Sequence, residues 1–184
     1  MIYKVLLKNE PDKSKTDIYH FLGEKLLAYG LYLEKGITYS EEALVLNSWG
    51  KPSLRNYPKV HYNISHSKGI IACVISEQYS VGIDVERVRS FNTYAANKVC
   101  SPEELKRIYS IRDSNREFFR YWTLKESYIK ALGKGISHPM KKVNFDIRSS
   151  GEIYSNISDC SFLLIEDKEN YITAVCYKKI LVRE

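Results

Sequence analysis

The sequence has few of the features that would set it apart from ordinary globular proteins. No apolar run approaches the roughly 20 residues that a membrane-spanning helix needs. The apolar stretch at the start is too short for a secretory signal and has no small-residue cleavage site. There is no repeat and no low-complexity segment. We therefore expect a cytoplasmic protein that does not contact a membrane.

Cysteine and charge are also limited. The four cysteines form no CxxC pair and no Cys/His metal spacing, so we expect reduced, mostly buried thiols. Lys and Arg number 28 against 22 Asp and Glu, which gives a net charge of +6. This mild excess favours acidic partners, whether phosphates, nucleic acid or an acidic protein, without choosing among them.

The sequence also lacks the motifs of common nucleophilic and nucleotide-binding enzymes. No GxSxG elbow is present. Ser65 and His66 are neighbours, and adjacent side chains in an extended segment point in opposite directions, so His66 is badly placed as a base for Ser65. The segment around Lys51 and Pro52 has neither the earlier glycine nor the following Ser/Thr of a Walker loop. No side chain of this protein therefore stands out as a nucleophile.

Periodicity predicts helices and strands in both halves of the chain, which indicates the α+β class. Ser101, Pro102 and Glu104 form a strong helix start, and Asn115 is a candidate N-cap for the next helix. We expect two subdomains, 1–88 and 89–184. The predicted helices are 17–33, 102–112 and 116–132, and the predicted strands are 2–7, 43–46, 60–64, 70–76, 81–85, 143–147, 161–165 and 172–177.

Two acidic residues alternate along one predicted strand. Asp84 and Glu86 point to one face, while Ile83 and Val85 point to the other. Two carboxylates that close repel each other unless a cation or a proton lies between them, and carboxylate oxygens suit Mg²⁺. The alternative is a strand end in solvent, where Arg87 and Arg89 neutralise the acids.

The long helix of the second half offers a third carboxylate. Trp122, Glu126 and Lys130 recur at every fourth position and share one stripe. Glu126 could complete a cation site and Lys130 could contact a phosphate, or the two could form an ordinary surface pair. Trp122 is best explained as a core residue. Between strands, His66, the amide of Ser67 and Lys68 could present an anion-binding turn, or simply a polar hairpin.

In order along the chain, four motifs resemble those of the 4′-phosphopantetheinyl transferase superfamily, in its larger, single-chain branch typified by the surfactin-synthetase activating enzyme. They lie at residues 50–52, 63–67, 82–86 and 122–135. The resemblance implies two similar α+β halves about a pseudo-twofold axis with the ligand cleft between them. It also implies a monomer, because both halves are in one chain.

The same resemblance implies an activity and its residues. The enzyme would transfer the 4′-phosphopantetheine arm of coenzyme A to a serine of an acyl or peptidyl carrier protein and release adenosine 3′,5′-bisphosphate. Mg²⁺, or Mn²⁺ in its place, would bind Asp84, Glu86 and Glu126. Glu126 and Lys130 would act in catalysis. Coenzyme A would contact a set of residues along its phosphates: Lys51, Pro52, Ser65, His66 and Lys130.

The sequence departs from the family near its start. The basic region that holds the 3′-phosphate of coenzyme A in this branch is shortened here to about residues 9–16. No arginine stands near Tyr19 and His20, so Lys13 and Lys15 are the candidate substitutes. This motivates an alternative, a non-catalytic module of the same fold that binds coenzyme A or a carrier. A nucleic-acid binder is disfavoured because the basic residues form no stripe.

Overall fold

The computed structural model of the chain describes residues 1–8, 16–40, 43–135 and 139–180. Lys13 and Lys15 lie outside the described residues. The strands and helices follow one another in this order: β1 Ile2–Leu6, α1 Thr16–Lys35, β2 Leu44–Leu46, β3 Pro52–Leu54, β4 His61–Ser67, β5 Ile70–Ser76, β6 Tyr79–Arg87, α2 Thr93–Val99, α3 Pro102–Ser110, α4 Ser114–Leu132, a 3₁₀ turn Met140–Lys142, β7 Phe145–Ile147, β8 Ile153–Ser155, β9 Cys160–Glu166 and β10 Tyr171–Lys179.

The two halves of the chain repeat one topology. A strand is followed by a long helix, a short two-stranded hairpin and an antiparallel pair whose second strand returns beside the first. The resulting sheets have the orders β1-β5-β4 and β6-β10-β9, and all their pairings are antiparallel. Helices α2 and α3 are additions to the second half. The α+β class with two similar subdomains, predicted from the sequence, is confirmed.

Four layers result from this repeat, with apolar contacts between each pair of neighbours. Helix α1 packs on one face of the first sheet through residues such as Leu27 and Ile71. The other face packs on the second sheet, where Val74 and Ile83 share a core. Helix α4 covers the outer face of the second sheet, as Leu124 shows. The β6 side chains therefore alternate as predicted, with Val81, Ile83 and Val85 facing the first sheet.

Hydrogen bonding assigns β6 differently from the sequence analysis. The strand that carries Asp84 and Glu86 pairs with β10, so by topology it opens the second half although it precedes residue 88. Strand order along the chain cannot show which partner a strand will find across a sheet. A domain division at residue 88 stays a prediction.

Other local predictions were incomplete. Strands β3 and β8 and helix α2 are short and were not predicted. Helix α4 begins two residues before the predicted start, because Asp113, not Asn115, accepts the N-terminal amide of Arg116. The four cysteines are free thiols, as predicted. Within the described ranges, no helix combines the length and the apolar character needed to cross a bilayer.

A buried ion pair joins α3 and α4. The Lys125 ammonium is fully buried, lies 2.8 Å from Glu104 Oε2 and donates to the carbonyls of Met140 and Val143. Glu104 also completes the predicted capping box with Ser101. Because every charge here has hydrogen-bond partners, removing one member would leave an uncompensated buried charge. Lys125 is thus a structural residue, although it lies beside Glu126.

Helix α4 and strand β6 touch through their backbones at Gly82. A Cβ at this position would lie 2.1 Å from the Ser127 carbonyl oxygen and 2.3 Å from the Ala131 nitrogen. No side chain fits in that space, because helix backbone cannot rotate away as a side chain can. Glycine at 82 therefore lets α4 lie directly on β6, which brings Lys130 of the helix into contact with Asp84 of the strand.

Gly82→Ala should push α4 off the sheet. We expect a loss of at least about 3 kcal/mol in the free energy of unfolding, from overpacking against backbone. Chemical denaturation with far-UV circular dichroism measures it. Gly23→Ala is the matched control: its new Cβ would meet side chains rather than backbone, Ile64 at 2.9 Å and Ile71 at 3.8 Å, and alanine gains helix propensity. Equal, small losses for both variants would contradict the argument.

Candidate active site

The candidate site lies where β4 and β6 run side by side, between α1 and α4. Asp84 is its most buried acid, with 6% of its surface exposed. Its Oδ1 accepts from Lys130 Nζ at 2.6 Å and from Ser65 Oγ at 3.0 Å. Its Oδ2 is buried and has no hydrogen-bond partner among the described residues. A buried carboxylate oxygen without a donor is costly, so this atom has unused capacity for a cation.

Two further acids face Asp84. Glu86 follows it on the same side of β6, and its Oε2 accepts from Ser67 Oγ at 3.2 Å and from Arg89 at 2.8 Å. Glu126 is half-buried on α4. Burial raises the pKa of Glu126, and the charges of Asp84 and Glu86 raise it further, while Lys130 opposes them. The three acids that the sequence analysis grouped are therefore electrostatic neighbours.

The three acids do not, however, form a complete metal coordination site. Among the residues that the structure describes, no three His, Cys, Asp or Glu side chains are grouped closely enough to hold a metal ion as they stand. Instead, the Lys130 ammonium forms an ion pair with Asp84 Oδ1 and neutralises its charge. The donor chemistry still suits a hard divalent cation, because it consists of carboxylates and one of their oxygens is orphaned.

His66 lies on the other side of β4, toward α1. It is exposed and stacks on Tyr19 with ring centroids 5.1 Å apart, and His20 lies edge-on at 6.1 Å. The residue is exposed, but neighbouring atoms still partly desolvate its ring, which lowers the pKa of His66, and the charges of His20 and Lys130 lower it further. A cavity of about 270 Å³ opens beside these rings and reaches Pro52. The predicted residues His66 and Pro52 thus line one cavity, whereas Ser67 lies in β4, and Lys68 with Gly69 forms the turn.

Lys51 has a role that the sequence analysis did not foresee. Its Nζ donates to the carbonyls of Val81, Lys130 and Ala131 at 3.0, 2.8 and 3.2 Å. Burial lowers its pKa to about 8. All three ammonium protons are engaged, and the positive charge sits at the C-terminal end of α4, where the helix dipole favours it. These contacts join the Lys51 loop to the α4–β6 pair; the phosphate contact of Lys51 stays a prediction.

Asn47 organises the same loop. Its Oδ1 accepts from the amides of Trp49 and Lys51, and its Nδ2 donates to the carbonyl of Gly133, which ends α4 in a left-handed conformation. The glycine before Lys51 also has a positive φ, of 82°. Sequence reasoning missed Asn47, because only the fold brings residues 47 and 133 together.

The remaining predicted residues take clear positions. Ser65 is buried, and its hydroxyl contacts Asp84, Lys130 and the amide of Val85. Trp122 packs beside Phe118 in the core, as expected. The structure thus brings Ser65, Asp84 and Lys130 into direct contact. Glu86 and Glu126 lie near them, and His66 lies across β4.

Comparison with known proteins assigns the family. The family model described as the 4′-phosphopantetheinyl transferase superfamily matches residues 80–176, more than half of the chain. The chain belongs to the 4′-phosphopantetheinyl transferase superfamily. The family predicted from the four motifs is confirmed, and the matched range includes Asp84, Glu86, Glu126 and Lys130.

Two curated relatives within this superfamily come from Bacillus. A 4′-phosphopantetheinyl transferase of Bacillus subtilis is 30% identical over 155 residues, which are 81% of this chain and 66% of the relative. The transferase Sfp of Bacillus subtilis strain 168 is 27% identical over 162 residues, 84% of this chain and 71% of the relative. The chain thus spans about two thirds of the length of these relatives.

A solved structure is also similar. The holo-[acyl-carrier-protein] synthase of Neisseria meningitidis matches with a TM-score of 0.49 and 18% sequence identity, over 56% of this chain and 99% of that one. The fold described above rests on the chain's own strand pairing.

Lys51→Met separates a structural role from a ligand role. Removing the ammonium leaves three carbonyls without their donor, so we expect the free energy of unfolding to fall by about 2–4 kcal/mol. Urea denaturation measures it. Lys35→Met is the control, because Lys35 pairs with Glu77 in an exposed contact worth about 0–1 kcal/mol. Unchanged stability with weakened coenzyme A binding would instead support the phosphate contact.

Glu126→Gln should stabilise the protein at neutral pH. The raised pKa means that the folded state holds the Glu126 proton above pH ~4.3, where the unfolded chain has released it. Wild-type stability is therefore lost as pH rises through that window, and the variant escapes the loss. We expect a higher Tm for the variant at pH 7 and no difference below pH ~4, measured by calorimetry.

Glu103→Gln provides the control of opposite sign. Backbone amide and Ser101 hydroxyl contacts lower the pKa of Glu103. Its contribution to stability is present above its unfolded pKa and is lost as pH falls. This variant should lower the Tm at pH 7, and the same direction of change for both variants would refute the electrostatic assignment.

Proposed function

We propose that this protein transfers the 4′-phosphopantetheine arm of coenzyme A to a serine of an acyl or peptidyl carrier protein, in a Mg²⁺-dependent reaction that releases adenosine 3′,5′-bisphosphate. The observation that carries the proposal is the environment of Asp84. A buried carboxylate with one orphaned oxygen lies 2.6 Å from Lys130 and faces two further acids. Membership of the superfamily and the names of the relatives support the reaction class.

Asp84, Glu86 and Glu126 would hold the divalent cation. Their oxygens are hard donors, and Mg²⁺ usually binds one or two carboxylates together with substrate phosphates and waters. Bound there, the cation would supply charge neutralisation for the pyrophosphate of coenzyme A. The alternation of β6 and the contact of α4 at Gly82 bring these acids to one side of the sheet.

Lys130 and His66 would bind the phosphates. Lys130 Nζ is only partly buried, with 28% of its side chain exposed, so an incoming phosphate can reach it. His66 lies at the rim of the cavity between α1 and β4, and the stacked Tyr19 ring adds a flat apolar surface there. We assign this cavity to the nucleotide end of coenzyme A, with Pro52 on its wall.

Glu126 is the proposed general base. The attacking oxygen belongs to the carrier serine, so the enzyme needs no nucleophile of its own. That oxygen forms a bond to the phosphorus that bears the pantetheine arm, and the bond between this phosphorus and the bridging oxygen breaks. The serine proton passes to Glu126. The pKa of Glu126 is raised toward neutral pH, and a general base works best when its pKa is near the working pH. Positioning and charge stabilisation supply the rest.

The partner would be an acidic carrier protein. A net charge of +6 favours encounter with such a partner. The surface of α3, and the basic residues Lys134, Lys141 and Lys142, are the proposed docking regions. A monomeric state and a cytoplasmic location remain predictions from the sequence.

Transfer is tested by mass spectrometry of apo carrier proteins incubated with coenzyme A, Mg²⁺ and the purified protein. We expect the carrier to gain the mass of one phosphopantetheine, and Glu126→Gln to reduce the rate at least about 100-fold, as loss of a general base does. Glu77→Gln is the control: Glu77 forms an exposed ion pair with Lys35, and this variant should transfer the arm at the wild-type rate. No product with both acyl and peptidyl carriers would reject the proposal.

One observation favours a second candidate, a non-catalytic module of the same fold. Lys130 already neutralises Asp84, so the acid does not depend on a metal for a counter-charge. Such a module would bind coenzyme A or a carrier without turnover. Calorimetric binding of coenzyme A together with no Mg²⁺-dependent transfer would select it.

A further inference from the structure

The edges of β4 and β6 meet without backbone pairing. Each strand is the last of its own sheet, in the orders β1-β5-β4 and β6-β10-β9. Side chains at alternate positions of β4 instead accept hydrogen bonds from backbone amides of β6. Each step of two residues along β4 matches a step of two along β6 in the same direction, so the two strands run parallel. The three contacts are Asn63 Oδ1 with the Ile83 amide at 2.9 Å, Ser65 Oγ with the Val85 amide at 3.3 Å and Ser67 Oγ with the Arg87 amide at 3.2 Å.

Two of these three side chains make a second contact. Ser65 Oγ donates to Asp84 Oδ1 at 3.0 Å, and Ser67 Oγ donates to Glu86 Oε2 at 3.2 Å. Each serine hydroxyl thus donates a hydrogen bond to the carboxylate of one acid. The same hydroxyl accepts a hydrogen bond from the backbone amide of the residue after that acid. Asn63 accepts an amide in the same row, but the residue before that amide is Gly82, which has no side chain to hold.

The serine contacts occupy only one oxygen of each carboxylate. On Asp84, Ser65 and Lys130 both bind Oδ1, and Oδ2 is the buried orphan. On Glu86, Ser67 and Arg89 both bind Oε2. Each carboxylate is thus held through one oxygen, and its second oxygen accepts no hydrogen bond from the described residues.

We propose that Ser65 and Ser67 are positioning residues, whose hydroxyls hold the carboxylates of Asp84 and Glu86 so that one oxygen of each faces a shared divalent cation. The inference rests on the proposed function, because it assigns the two strand acids as metal ligands. Hydrogen bonds to ligating carboxylates fix their orientation, and losing one typically weakens metal affinity about 10- to 100-fold. The same hydroxyls also join the two sheets, which ties the geometry of the site to the packing of the halves.

Ser67 gives the sharper test, because Ser65 also contacts Lys130. Mn²⁺ is titrated into the full chain without coenzyme A, and free Mn²⁺ is followed by electron paramagnetic resonance. Ser67→Ala should raise the Mn²⁺ Kd about tenfold, and Ser67→Thr, which keeps the hydroxyl, should restore it. Asn63→Ala is the matched control: it removes one contact of the same row and should lower the Tm while leaving the Mn²⁺ Kd within about twofold of wild type, since no carboxylate is released.

Transfer assays on the same samples separate the positioning role of Ser67 from the proposed transferase function. Ser67→Ala should need a higher Mg²⁺ concentration for half-maximal rate and approach the wild-type rate at saturation. If Ser67→Ala and Asn63→Ala change the Tm alike and neither changes the Mn²⁺ Kd, the row is only structural and the positioning role is overturned. Wild-type protein that binds no Mn²⁺ also overturns it, and its carrier-transfer activity then decides separately whether the proposed function stands.

Discussion

The contact between the backbones of α4 and β6 at Gly82 determines the rest of the site. Side chains normally set the distance between a helix and a sheet. Gly82 has no side chain, so α4 and β6 come into direct backbone contact here. The approach places Lys130 within 2.6 Å of Asp84 and brings Glu126 into the field of the two strand acids. Lys51 then reaches across the end of the helix to the carbonyls of both elements and fixes their relative position.

This closeness has an electrostatic cost. Asp84, Glu86 and Glu126 repel one another in a partly buried space, and the raised pKa of Glu126 is the measure of that repulsion and of its desolvation. Lys130 and the hydroxyl of Ser65 offset part of it at one oxygen of Asp84. A site that keeps a buried oxygen without a donor is less stable than it could be, which is typical of residues retained for function rather than for folding.

Sequence patterns predicted much of this arrangement, and their failures have a common cause. Alternation placed Asp84 and Glu86 on one face of β6, and the four-residue spacing placed Glu126 and Lys130 on one stripe of α4, because both periodicities are local properties of the backbone. The strand partner of β6, the carbonyl contacts of Lys51 and the role of Asn47 depend on residues that lie 30 or more positions away. No local pattern encodes such contacts. The phosphate contact of Lys51 came from the family resemblance and stays a prediction, while the structure shows its ammonium bound to backbone carbonyls.

The edges of β4 and β6 meet at the junction of two repeats of one fold without backbone pairing. Two parallel edges in register would ordinarily continue the ladder and close the sheet, since unpaired edges attract partner strands. Here Asn63, Ser65 and Ser67 satisfy the amides of β6 with side chains, so the strands stay a side chain apart. On either side of this junction, His66 lies toward α1 and Asp84 toward α4. The polar row that replaces backbone pairing is therefore also what holds Asp84 and Glu86 in place, because two of its three side chains donate to their carboxylates.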